Sequence, residues 1–113
     1  MKVLLCTNEL GERGGERQVR LLGQHLTSLG HTVALAAPRA AKLHQGWPGP
    51  TFIVPMANTL DLRGALGLRR AAASLGADVV HAATPRAHAL ALWGLPRTQP
   101  VVVTRAVVYT PGK

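Results

Sequence analysis

The sequence predicts an α/β fold, a doubly wound parallel sheet of about five strands, and three observations predict it. Short β-branched runs alternate with longer stretches whose apolar residues recur at helical spacing, the pattern of successive βαβ units. The strand-like runs are almost free of polar residues, as strands covered on both faces require. Glycines stand where two helices should stop, at Gly30 and Gly76. With 113 residues the chain fits one small domain with a real core.

The first strand is expected at Val3 to Thr7, followed by a loop from Asn8 to Gly15. A helix from about Glu16 to Leu29 follows, with Val19, Leu22, Leu26 and Leu29 on one face and Arg13, Arg17 and Arg20 opposite. Thr32 to Ala36 reads as the second strand and Thr51 to Pro55 as the third. Between them, Arg39 to Pro50 reads as a short helical turn and then loop, because Gly46, Pro48, Gly49 and Pro50 crowd its end. A helix from about Asp61 to Leu75 should bury Leu62, Ala65, Leu68, Ala72 and Leu75. Gly64 and Gly67 weaken it by about 1 kcal/mol each relative to alanine, so packing has to hold it. The fourth strand is Asp78 to Ala82. Thr84 then caps a helix that has Pro85 at its first position and ends near Trp93. Val101 to Val108 is the fifth strand. No helix follows it to cover the sheet, so the chain is expected to be truncated, and to self-associate through the exposed sheet edge.

Composition excludes several classes. An apolar fraction of 47% with 16% charged residues belongs to a packed chain and not to a disordered tail. The lone Cys6 rules out an internal disulfide, and its apolar neighbours suit a buried strand residue better than a reactive thiol. The opening apolar run stops at Thr7, too short for a secretory leader, and no stretch reaches the length of a membrane span. A cytoplasmic location is expected. The net charge of +8 draws the chain to anions: nucleic acid, phosphorylated small molecules, or the acidic lipid of a membrane touched peripherally. The basic residues are scattered, and Trp47 and Trp93 read as packing residues, so no specific nucleic-acid surface is expected.

In an open parallel sheet, ligands sit beyond the carboxyl ends of the strands. Those ends are the Asn8 to Gly15 loop, Pro38 to Arg39, the segment from Met56, His81 to Arg86, and Thr104 to Tyr109. The run G-E-R-G-G-E-R, Gly11 to Arg17, lies at a strand-to-helix junction where glycines let backbone N–H groups approach a phosphate. It is not the dinucleotide spacing G-x-G-x-x-G, and Arg39 stands where an NAD-type site needs an acid; Arg39 could instead meet a ribose phosphate. His81 could contact a ligand or end its strand with the ring bonded to backbone. Arg86 and His88 could face the cleft or only solvent, and Arg105 could meet an anion or an ion-pair partner.

In order and spacing, the segments MKVLLCTNELGERGGERQVRLL, SLGHTVALAAP, ADVVHAATPRAHALA and PVVVTRAVVYTPG resemble the N-terminal domain of family 4 glycosyltransferases. The combined order of a glycine loop with E-R, then G-H-x-V, D-V-V-H and V-V-T-R is more specific than any one piece. The resemblance implies a Rossmann-like half of a retaining, two-domain GT-B enzyme that transfers a sugar from a nucleotide-sugar donor to a lipid, glycan or small-molecule acceptor. On that view residues 1–113 are a partial, acceptor-side domain, and the donor-binding domain with its pair of glutamates is absent. Gly14, Gly15 and Arg17 would form the donor-phosphate loop, and His81, Arg86 and Arg105 would line the acceptor pocket. No metal ion and no cofactor are implied. Arg13 stands where the family has its first loop glycine, Ala83 where many relatives have a histidine, and Arg105 and Ala106 where several have another. The chain alone is expected not to transfer sugar. Two other classes stay open, a free-standing nucleotide- or phosphate-binding α/β domain and a basic nucleic-acid-binding module.

Overall fold

The computed structural model describes residues 1–8 and 14–103, with only the backbone given for 14–16. Strands β1 (Lys2–Cys6), β2 (Thr32–Ala37), β3 (Thr51–Ile53), β4 (Val79–Ala82) and β5 (Val101–Val103) alternate with helices α1 (Gly14–Ser28), α2 (Leu62–Leu75) and α3 (Pro85–Gly94). A 3-10 turn at Lys42–His44 interrupts the link from β2 to β3. The sheet runs β3-β2-β1-β4-β5 with every neighbour parallel, which is the doubly wound order. Val3 stands between Val33 of β2 and Val79 of β4, and Val80 faces Val101 of β5.

Side chains alternate across this sheet and divide the core in two. Leu4, Cys6, Ala34, Ala36, Val80 and Ala82 face α2 and α3. Val3, Leu5, Val33, Leu35 and Ala37 face α1 and Trp47. Cys6 is fully buried, and burial pushes its thiol up to about 12, so it is a packing residue.

The helix ends follow from their residues. Asp61 caps α2 by accepting from the N–H of Arg63 at 3.1 Å and of Gly64 at 3.4 Å, and Gly76 closes the helix in the left-handed region. Thr84 caps α3 through the N–H of Ala87, with Pro85 at the first position. Two glycines on the α2–α3 side are close-approach positions. A β-carbon at Gly94 would stand 2.6 Å from the carbonyl oxygen of Ala65, and one at Gly64 would collide with the carbonyl of Pro55. Packing, which Gly64 and Gly67 were expected to need, is therefore what the glycines themselves make possible.

Four expectations change. Helix α1 begins at Gly14, so Gly14 and Gly15 belong to its first turn and not to the loop. Leu29 is exposed because the helix ends at Ser28 and the chain turns away. Leu62 is exposed because the inner stripe of α2 is made of small residues, Gly64, Ala65, Ala71 and Ala72, with Leu68. Trp47 is buried as expected, but Trp93 at the end of α3 is 46% exposed, with its Nε1 donating to the carbonyl of Thr59. The fifth strand is described as Val101–Val103; Thr104 to Val108 lie outside the described residues.

Candidate functional site

At the carboxyl edge of the sheet the chain leaves four neighbouring strands within a few residues, and their ends surround a cavity of about 590 Å³. Asn8 follows β1, Pro38 and Arg39 follow β2, Pro55 and Met56 follow β3, and Arg86 sits in the first turn of α3 after β4. The fold fixes these pieces by hydrogen bonds between segments. The Thr84 hydroxyl donates to Asn8 Oδ1 at 2.5 Å while accepting from the Ala87 N–H, so one side chain joins the ends of β1 and β4 and starts α3. With Oδ1 occupied, the amide NH2 of Asn8 is the part left to donate. Arg86 donates to the Met56 carbonyl at 3.1 Å, which ties the start of α3 to the segment after β3.

Three arginines line the cavity, Arg39, Arg63 and Arg86. Arg63 lies 3.4 Å from Asp61, but 75% of its side chain remains exposed. Asp61 is held below the ordinary carboxylate range by the N–H of Ala57 first, against the opposing effect of burial, and further by Gly64 and Arg63. It is therefore ionised at neutral pH and offsets one of the three charges. Arg39 is exposed and has no ion pair among the described residues. No carboxylate appears in the described lining, so the cavity is suited to an anion. A second, smaller hollow of about 430 Å³ lies beyond Asn8 and Arg86, against Thr59, Thr84 and Pro85. Among the described residues no three His, Cys, Asp or Glu side chains stand together as a metal ion would need.

A model of glycosyltransferase family 4 matches residues 13–105. The chain belongs to glycosyltransferase family 4. Among solved structures, a glycosyltransferase from Rickettsia africae ESF-5 is similar over 97% of this chain, with a TM-score of 0.68 and 18% identity. At that identity the likeness shows the shared fold. The chain spans 31% of the length of that relative. No curated protein matches it by sequence.

Against this family 4 frame, the predicted site residues separate. Arg86 lines the cavity. His81 does not: it lies within β4, opposite Leu5 and Val102, and alternation turns it to the α1 face, away from its neighbours Val80 and Ala82. It is half-buried, and burial lowers its basicity. Gly14 and Gly15 supply the first turn of α1, whose N–H groups have no partner inside the helix, and Arg17 follows them, exposed. Arg105 lies outside the described residues. Arg63 was missed, because the helix containing it was read only for its buried stripe. Its signal was its place two residues after a capping aspartate, at the end of the helix that meets the strand ends.

Proposed function

We propose that this family 4 domain is the acceptor side of a retaining, two-domain GT-B-type enzyme that transfers a sugar from a nucleotide-sugar donor. The observation that supports it is the cavity at four strand ends, lined by Arg39, Arg63 and Arg86 with no carboxylate in the described lining. In this reading Arg86, fixed on the Met56 carbonyl, and Asn8, fixed by Thr84, orient the acceptor so that its nucleophilic hydroxyl faces the donor. The N–H groups of Gly14 and Gly15 stabilise the negative charge that develops on the leaving diphosphate, with Arg17 adding positive charge near it. The donor itself is held by a second domain that forms the opposite wall of the cleft.

A transfer assay tests both halves of the proposal. The purified chain, offered a panel of sugar nucleotides and acceptors, is expected to transfer nothing and to bind nucleotides weakly. Joined to the donor-binding half of a related enzyme, it is expected to transfer sugar, and a Gly14→Trp change should abolish that transfer. Transfer by the chain alone would remove the need for a second domain, and tight nucleotide binding by it would favour a free-standing nucleotide-binding domain.

A further inference from the structure

The arginine-lined cavity does not stop at the strand ends. A third hollow of about 550 Å³ lies next to it between the edge strand β3 and helix α2, and the two share Ile53, Pro55 and Arg63. Its character differs from that of the first. Phe52, Val54, Leu66, Gly67 and Ala71 give it an apolar floor and wall, while Arg70 and Ser74 stand at its rim. Gly67 keeps the groove narrow, since a β-carbon there would already be 3.0 Å from Val54. Ile53 is 51% exposed and Leu66 43%, so apolar surface is left open where the two hollows meet. Each hollow has the volume of an ordinary ligand pocket. Together they form one channel, cationic at one end and apolar along its length.

We propose, resting on the acceptor-side reading above, that the acceptor is an amphiphile: an anionic head held by Arg39, Arg63 and Arg86, with an alkyl tail lying along the β3–α2 groove. Charge complementarity selects the head, because three arginines line the cavity and Asp61 offsets only one of them. The tail is selected by continuity, because the open apolar surface begins at Ile53 and Pro55, where the head group would end.

Binding of n-octyl phosphate, ethyl phosphate and octanol to the purified chain, measured by calorimetry below the aggregation concentration of the probes, tests this. Octyl phosphate is expected to bind at least about tenfold more tightly than ethyl phosphate, from burial of the added methylenes. Arg39→Gln should weaken both phosphates by about tenfold. Leu66→Gln should remove most of the advantage of the octyl chain and leave ethyl phosphate unchanged. Leu29→Gln, at an exposed leucine on α1's side of the sheet, should change nothing. Equal affinity for the two phosphates would overturn the amphiphile and leave the acceptor-side reading intact. Octyl phosphate binding that ignores both Arg39→Gln and Leu66→Gln would mean adsorption elsewhere and would also overturn it. Failure of the acceptor-side reading shows independently, as absence of transfer by the joined enzyme.

Discussion

The two faces of the sheet are sealed by different means. On one, α2 and α3 lie close together because Gly94 meets the backbone of Ala65 and because the inner stripe of α2 is small. On the other, α1 is the sole α-helix among the described residues, and the link between β2 and β3 completes the cover with Ala41, Leu43 and one aromatic ring, Trp47. That link is pinned at several points. Trp47 donates to the Val33 carbonyl at 3.0 Å, His44 Nε2 reaches the carbonyls of Ala37 and Pro38 at 3.1 Å each, and Arg20 of α1 donates to the carbonyls of Gln45 and Lys42. The first face gains its contact from small residues on both helices, and the second from a large ring seated on a small one, since a β-carbon at Gly23 of α1 would stand 2.5 Å from the Trp47 ring. The second cover also stops short: Val102 of β5 is 48% exposed and His81 only half-buried on that side.

Removing the aromatic ring should therefore have the largest effect. Trp47→Ala is expected to cost roughly 3–5 kcal/mol in urea unfolding, since it empties the cover and leaves the Val33 carbonyl unpaired. Gly94→Val should cost about 1–3 kcal/mol, because the neighbour it meets is backbone and α3 has to shift from α2. If Gly94→Val proved the more damaging of the two, the link would be a lesser cover than its contacts indicate.

Acid should separate the faces more gently. Burial lowers the basicity of His81 from its ordinary 6.5, so the unfolded chain binds the proton more readily. Stability is then fully present above about pH 6.5 and is lost as pH falls through the lower, folded value. Asp61 on the α2 side acts in a lower window: its carboxyl is held below 3.8, so its contribution persists above 3.8 and is lost as pH falls through the folded value. His81→Gln should flatten the decline just below pH 6.5 in a series of urea midpoints and leave the Asp61 window unchanged. A decline that persists in His81→Gln would assign the first window to another group.

The strands and the helix ends were legible in the sequence because they depend on local chemistry. Asp61, Thr84, Pro85 and Gly76 act within a few residues of themselves, and buried strands announce themselves by their lack of polar residues. Leu62 misled for the converse reason. Hydrophobic periodicity ranks leucine above glycine for burial, whereas the approach of α2 to Pro55 and of α3 to Ala65 rewards the smallest side chains. The strand ends pointed to the site region, and Arg86 was read there. Arg63 and the Thr84 to Asn8 hydrogen bond were not legible, because each depends on segments brought together only by folding.

Strand β3 is three residues long, preceded by Pro50 and followed two residues later by Pro55. A proline has no N–H to offer a neighbouring strand, so this border of the sheet has little capacity to template another chain. Lateral growth of the sheet, and with it any fibre-like stacking of copies, is discouraged on the side where the groove opens. The groove thereby keeps its outer margin free of competing backbone.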